Sequence, residues 1–76
     1  MKEISVYPCL MAQMYLKGYD SKQLAEAVGL SYVTLRRRLR GESSMKLTEA
    51  RRIREALNCA LPLEILFQRR GERHEA

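Results

Sequence analysis

The sequence places four arginines within five positions, at Arg36, Arg37, Arg38 and Arg40. A guanidinium group is planar and permanently charged, so it can donate two parallel hydrogen bonds to guanine O6 and N7 or pair with a phosphate. Residues 31–54 contain eight basic and two acidic residues, a net charge of +6 in a chain whose total is +5. Positive charge concentrated in one stretch favours a polyanionic partner, with double-stranded DNA the first choice.

The helix that carries these arginines must bury an apolar face, and that face decides which arginines are exposed. Leu35 and Leu39 lie four residues apart, about one helical turn, and predict the buried face. At about 100° per residue, Val33, Arg37 and Arg40 point away from Leu35 and therefore towards solvent. We expect this exposed face to contact bases and phosphates.

The predicted recognition helix spans residues 31–40, and three of its side chains lie beside the exposed face. Arg36 and Arg38 fall on opposite flanks, and Arg36 is expected to follow the wall of a DNA groove. Tyr32 falls near the apolar edge, where a contact with DNA and packing against the preceding helix are equally open interpretations. Gly41 is expected to close the helix.

A second helix and a tight turn are predicted immediately before the recognition helix. Asp20 and Gln23 form a capping-box pattern, which predicts a helix start, and Gly29 can adopt the positive φ that ends a helix. Ser31 is a favourable cap for the helix that follows. Two short helices joined by a glycine-containing turn predict a helix-turn-helix over residues 20–41, a unit that places its second helix in the major groove.

Helical spacing of apolar residues also dominates the rest of the chain. Pro8 is expected to begin a first helix that ends at Gly18, and Leu47 a fourth helix that ends near Asn58. Pro62 is expected to begin a short closing helix. The β-like residues "ISVY" are too few for a sheet, so we expect an all-α fold. The residues expected to face the core in these three helices are Leu10, Met11, Met14, Tyr15, Leu47, Ala50, Ile53, Leu57, Leu63, Leu66 and Phe67.

The expected DNA contacts divide by chemistry. Arg37 is the first choice for reading a base, Val33 for touching a thymine methyl group, and Arg36 and Arg40 for holding phosphates. The start of the second helix is expected to contact the sugar-phosphate backbone of DNA, because a helix N-terminus favours a phosphate. The candidate DNA-binding residues are Ser21, Lys22, Ser31, Tyr32, Val33, Arg36, Arg37 and Arg40. Phosphate contact and plain solvation are equally open for Arg51, Arg52 and Arg54 of the fourth helix.

The side chains needed for most enzyme and metal sites are missing from this pattern. The single histidine, His74, lies in a polar segment, residues 68–76, that lacks a large apolar residue and is expected to be frayed. Cys9 and Cys59 lack metal-ligand spacing, so we expect reduced thiols in the core. We therefore expect no enzyme, no cofactor, no metal site and no small-molecule substrate.

Membrane association is not expected either. The sequence contains no run of about 18 apolar residues, and its first residues lack the apolar stretch of a signal peptide. A basic helix lying on a membrane surface is disfavoured, because the arginines are divided between two helices whose apolar faces are needed for the core. We expect a soluble, cytoplasmic protein.

The run "DSKQLAEAVGLSYVTLRRRLRGES" resembles the helix-turn-helix of the phage repressor and Cro-like (XRE) family. The runs "ISVYP", "LTEARRIREALN" and "LPLEILF" resemble the segments that flank it in small bacterial and prophage members, so the resemblance covers residues 4–67. This chain departs from the family pattern at two places. Many members have an apolar residue and then a glutamate before the closing glycine, where this chain has Arg38 and Leu39, and Lys46 stands where members often have a threonine cap.

The resemblance implies a compact five-helix, lambda-repressor-like domain over residues 4–67 that binds operator-like DNA, usually as a homodimer, and represses transcription. It places the base-reading positions on Tyr32, Val33 and Arg37, with Ser21 at the front of the second helix. A protein-interaction module, such as an antitoxin or anti-repressor that uses the same helices, is the alternative. The salt dependence of binding distinguishes these two functions. Binding to DNA releases counterions and weakens as salt concentration rises, whereas binding through an apolar protein interface releases none.

Overall fold

The computed structural model describes residues 5–70, and this part of the chain contains five helices. They are α1 (Pro8–Lys17), α2 (Ser21–Val28), α3 (Tyr32–Leu39), α4 (Leu47–Ala56) and α5 (Leu63–Leu66). This part of the chain contains no strand, which confirms the predicted all-α fold. The recognition helix, α3, is one residue shorter at each end than predicted, because Ser31 and Arg40 act as its caps.

Local capping fixes where α2 and α3 begin. The backbone N–H of Gln23 donates to Asp20 Oδ1 (2.8 Å), and the Asp20 N–H donates to Gln23 Oε1 (2.9 Å), so the predicted capping box is confirmed. The Thr34 N–H donates to Ser31 Oγ (3.0 Å) at the start of α3. These bonds satisfy backbone donors that have no partner within their own helix.

The turn between α2 and α3 depends on Gly29. Its φ of 77° lies in the left-handed region, which glycine adopts without a steric cost. The next N–H, that of Leu30, donates to the Ala25 carbonyl (3.0 Å) and closes the end of α2. Leu30 then packs against the core cluster, which includes Ala25, so the turn is anchored on the side away from solvent.

The core lies between the helices, with α2 packed against α3 and α4, and α5 packed against α1 and α4. Leu35 and Leu39 are 0% and 1% exposed, which confirms the predicted buried face of α3. A buried face fixed at these two positions leaves the opposite face of α3 free for function. The largest fully buried side chains are Leu10, Leu24, Leu35, Leu39, Ile53, Leu57 and Leu66.

Two residues that the sequence assigns to the core lie on the surface instead. Tyr15 is 85% exposed and Leu47 is 60% exposed, so these two predictions are wrong. The first helix buries only the narrow stripe of Leu10 and Met14, and Tyr15 projects away from it by about 100°. Leu47 is the first residue of α4, and the buried stripe of that helix begins two residues later.

The segment before α1 is held between the end of α3 and the end of the described chain. The Val6 N–H donates to the Leu39 carbonyl (2.8 Å), and Arg70 Nη2 donates to the Ser5 carbonyl (3.2 Å). The Arg70 N–H also donates to the Val6 carbonyl. The polar C-terminal segment is therefore bonded to the domain where it begins, a contact that the sequence does not predict. Its remaining residues, 71–76, lie outside the described part of the chain.

Candidate nucleic-acid interface

The exposed side of α3, with the residues that follow it, forms a shallow cleft that we call the arginine cleft. Arg37 and Arg40 are exposed in it, and Val33 is 64% exposed, as the position of Leu35 predicts. The cleft thus brings together five of the six candidates that the sequence places in the recognition helix. Its lining residues are Tyr32, Val33, Arg36, Arg37, Arg40 and Glu42.

Tyr32 and Arg36 form a pair at one side of the arginine cleft. The guanidinium carbon of Arg36 lies 5.5 Å from the centroid of the Tyr32 ring, a distance at which the cation is attracted to the electron-rich face. Tyr32 is 37% exposed and lines the cleft, and it does not belong to the core cluster. Of the two interpretations of Tyr32, the structure therefore favours a residue of the functional surface.

The candidates at the N-termini of α2 and α3 are placed differently from one another. Ser21 is only 2% exposed, so the structure does not bring it to a surface where DNA could touch it. Lys22 is exposed beside it. Ser31 is exposed, but its hydroxyl is used in capping: it donates to Thr34 Oγ1 (2.8 Å) and accepts from the Thr34 N–H. Lys22 is therefore the stronger backbone-contact candidate.

Arg38, on the flank of α3, is bonded within the protein. Its Nε and Nη2 atoms donate to the two carboxylate oxygens of Glu49, at 2.8 and 3.1 Å, and its Nη1 donates to Ser43 Oγ at 2.6 Å. Glu49 Oε1 also accepts from the Lys46 N–H (3.1 Å) at the start of α4. One carboxylate therefore joins α3, the loop after it and the first turn of α4, which holds α3 in one rotation about its axis.

The same contacts shift the pKa values of Glu49 and Arg38. The hydrogen bond from Arg38 is the main reason why the pKa of Glu49 lies below its ordinary value; the Lys46 N–H acts in the same direction, and burial opposes both. The hydrogen bond to Glu49 likewise raises the pKa of Arg38. Both groups are therefore charged at neutral pH, and their hydrogen bonds are of the stronger, charge-assisted kind.

We expect Glu49→Gln to destabilise the domain at neutral pH, because glutamine keeps the shape of the side chain and removes its charge. The pKa of Glu49 is lower in the folded protein than its ordinary value. Its carboxylate therefore stabilises the fold above the ordinary value, and this contribution is lost as the pH falls towards the folded-state pKa. In urea, the variant should unfold at a lower concentration than the wild type at pH 7.

The pH dependence separates this effect from a general loss of packing. The urea midpoints of the wild type and Glu49→Gln should converge as the pH falls from the ordinary pKa of a glutamate towards the lower folded-state pKa of Glu49, because the wild-type carboxylate then takes up its proton. Glu55→Gln is the matched control, because it removes an exposed carboxylate from the same helix. A difference between Glu49→Gln and wild type that stays constant from pH 7 to acid would contradict a stabilising charge at this position.

The three arginines of α4 have different surroundings. Arg54 Nε donates to the Leu61 carbonyl, so this arginine holds the loop that leads to α5. Arg51 and Arg52 are exposed, and neither lines the arginine cleft. Phosphate contact and solvation therefore stay open for Arg51 and Arg52, while Arg54 has a structural contact that the sequence does not predict.

Glu42 lines the arginine cleft, although the sequence does not single it out. Its Oε2 atom lies 3.6 Å from Arg40 Nε, and the two side chains are 53% and 48% exposed. A signal for its position does exist in the sequence: Glu42 follows Gly41, the residue that closes the recognition helix, and a chain that turns there returns beside the last helical turn. An acidic side chain is thus part of an otherwise basic and apolar surface.

Residues 5–70 contain neither a metal-site cluster nor a helix that could span a membrane. No group of three or more His, Cys, Asp or Glu side chains in this part of the chain could hold a metal ion. Cys59 is buried and Cys9 only partly buried, both with free thiols, so the predicted core thiol is confirmed for Cys59 alone. His74 lies outside the described residues. Each helix described is too short or too polar to cross a membrane.

Comparison with known proteins places this architecture in a family. A family model described as helix-turn-helix matches residues 11–63, more than half of the chain. A search of the curated proteins finds no match. The matched segment contains α2, the glycine turn and α3, which are the elements that form and present the arginine cleft. The chain belongs to the XRE-type helix-turn-helix family, a family of DNA-binding proteins.

Proposed function

We propose that this protein binds double-stranded DNA sequence-specifically through α3 and represses transcription at operator-like sites. The observation that carries the proposal is the arginine cleft: the second helix of a helix-turn-helix lines it with partly buried Arg36, exposed Arg37 and Arg40, and exposed, apolar Val33. The opposite face of α3 is buried in the core at Leu35. A helix-turn-helix inserts its second helix into the major groove, where donors in a fixed fork can read guanine.

The exposed residues take distinct roles in this proposal. Arg37, directly opposite the buried face, reads a base edge, and Val33 lies beside it to contact a thymine methyl group. Arg40 and Arg36 line the same cleft and hold phosphates. Lys22, exposed in the first turn of α2, contacts the backbone from the other helix of the motif.

We further propose that the protein acts as a homodimer. The recognition helix has eight residues and can reach only a few base pairs, so two copies related by a two-fold axis are needed for a longer site. We take Leu63 and Phe67 as candidates for the dimer interface, because they line a second cleft together with Leu47, which is 60% exposed. The matching operator is a pseudo-palindrome with half-site centres about 10 base pairs apart.

Selection of binding sites from random duplexes, at two salt concentrations, tests this function. We expect one consensus with two-fold symmetry, and an association constant whose logarithm falls linearly with the logarithm of salt concentration. A protein that enriches no sequence, or that binds DNA with no dependence on salt, would contradict the proposal. Binding to a protein partner with little salt dependence would instead support an antitoxin or anti-repressor.

A further inference from the structure

Glu42 is the one residue lining the arginine cleft that carries a negative charge; the other five are basic, apolar or aromatic. Its carboxylate lies 3.6 Å from Arg40, and both side chains are about half exposed. A carboxylate in this position occupies the same guanidinium that the proposed function assigns to a DNA phosphate. The two anions therefore compete for one cation.

The position of Glu42 is set by the fold. Gly41 has a φ of 80°, and a Cβ added there would lie 3.2 Å from Val6 Cγ1, so a larger residue would be strained at this turn. After this turn, the Glu42 N–H donates to the Arg37 carbonyl at 2.9 Å. The backbone of Glu42 is thus fastened to the last turn of the recognition helix and moves with it.

The Arg40–Glu42 pair contributes little to folding. An ion pair between exposed side chains stabilises a protein very little, because water competes for both charges. Glu49, by contrast, is a structural carboxylate: it is buried, and it accepts hydrogen bonds from Arg38 and from the Lys46 N–H. The pair at the cleft is therefore free to open when a stronger ligand for Arg40 arrives.

We infer that Glu42 is an internal competitor that occupies Arg40 in the free protein and thereby limits phosphate-driven binding to DNA. This inference rests on the proposed function, and it adds a regulating residue to the same site. When a duplex enters the cleft, Arg40 exchanges the Glu42 carboxylate for a phosphate, and the released carboxylate stays near the DNA backbone, where like charges repel. Both effects weaken binding to every duplex, whatever its sequence.

The test compares wild type with Glu42→Gln on a selected duplex and on a random duplex across a salt series. We expect the variant to bind both about five- to tenfold more tightly, from the lost pair and the lost repulsion. In the wild type, the released carboxylate near the DNA offsets up to one phosphate contact, so its removal should steepen the salt dependence by up to about 0.9 in slope. Glu55→Gln, which removes an exposed charge of α4 outside the cleft, should have a smaller effect.

The same substitution in a protein that lacks Arg40 is the decisive comparison. In an Arg40→Gln protein, Glu42→Gln should increase affinity by a clearly smaller factor than in the wild type, because the contested cation is gone. Equal factors in both backgrounds would show a general charge effect and overturn the inference. Loss of affinity by Glu42→Gln only on duplexes that carry one particular cytosine would also overturn it, since Glu42 would then be reading a base.

The two proposals fail in different ways. If the wild-type protein binds no duplex at any salt concentration, the proposed DNA-binding function falls and the inference falls with it. If the wild type binds DNA with the expected salt dependence while Glu42→Gln binds with unchanged affinity and slope, only the competitor role of Glu42 is wrong.

Discussion

Replacing Leu35 with aspartate is expected to unfold the domain. Leu35 is 0% exposed and lies on the inner face of α3, within the core cluster of buried residues. A carboxylate in this place would lose its hydration without gaining a partner, which costs several kcal/mol. Single domains have a total stability of only about 5–15 kcal/mol, so circular dichroism of Leu35→Asp should show the loss of most helical signal.

Two further variants make this result specific. Val33→Asp introduces the same group two residues away, at a position that is 64% exposed, and should keep wild-type helical content. Leu35→Ala should fold but lose about 2–5 kcal/mol of stability in urea, the range for deleting a buried leucine side chain. A helical, soluble Leu35→Asp protein would show that this face of α3 is not buried in solution.

Replacing Arg37 with alanine is expected to lower affinity for the selected DNA site by about 1–3 kcal/mol, which is about a five- to 150-fold change in dissociation constant. Arg37 is exposed in the arginine cleft, opposite the buried face of α3. Its fork of donors matches guanine O6 and N7. Removing it should relax the preference at one base pair of each half-site, which a repeated selection would detect.

Arg40→Ala is the matched control for the role of Arg37, because it removes the same type of side chain from the same cleft. A phosphate carries no sequence information, so this variant should bind all duplexes more weakly by a similar factor and keep the wild-type consensus. An Arg37→Ala protein that loses equal affinity for selected and random DNA would assign Arg37 to the backbone as well.

Helix boundaries and the turn of the motif are predictable because their causes lie within a few residues. Asp20 and Gln23 bond to each other's backbone, and Ser31 caps α3 through a donor three residues away. Gly29 ends α2 because of its own conformational freedom. The buried face of α3 follows from the four-residue spacing of its leucines for the same reason: one helical turn is a local rule.

Side-chain burial near helix ends depends on which neighbouring residues are present, and the predictions made from the sequence are wrong there. Tyr15 lies beside the buried stripe of α1, which is too narrow to include it, and Leu47 lies in α4 before the buried stripe of that helix begins, so both are exposed. Ser21 is polar and lies in the first turn of α2, yet it is buried. Periodicity states which face a residue shares, and it does not state where along the helix the packing stops.

Arg36, Arg37, Arg38 and Arg40 look alike in the sequence, and tertiary contacts give each a different setting. Arg38 is bonded to Glu49, eleven positions away, and Arg40 lies beside Glu42. Glu42 is only two positions from Arg40, whereas Glu49 lies in α4, so no local rule could pair it with Arg38. Local bonding thus made the helix-turn-helix predictable from the sequence, whereas only the tertiary structure decided that Arg38 is bonded within the protein and Arg37 is exposed.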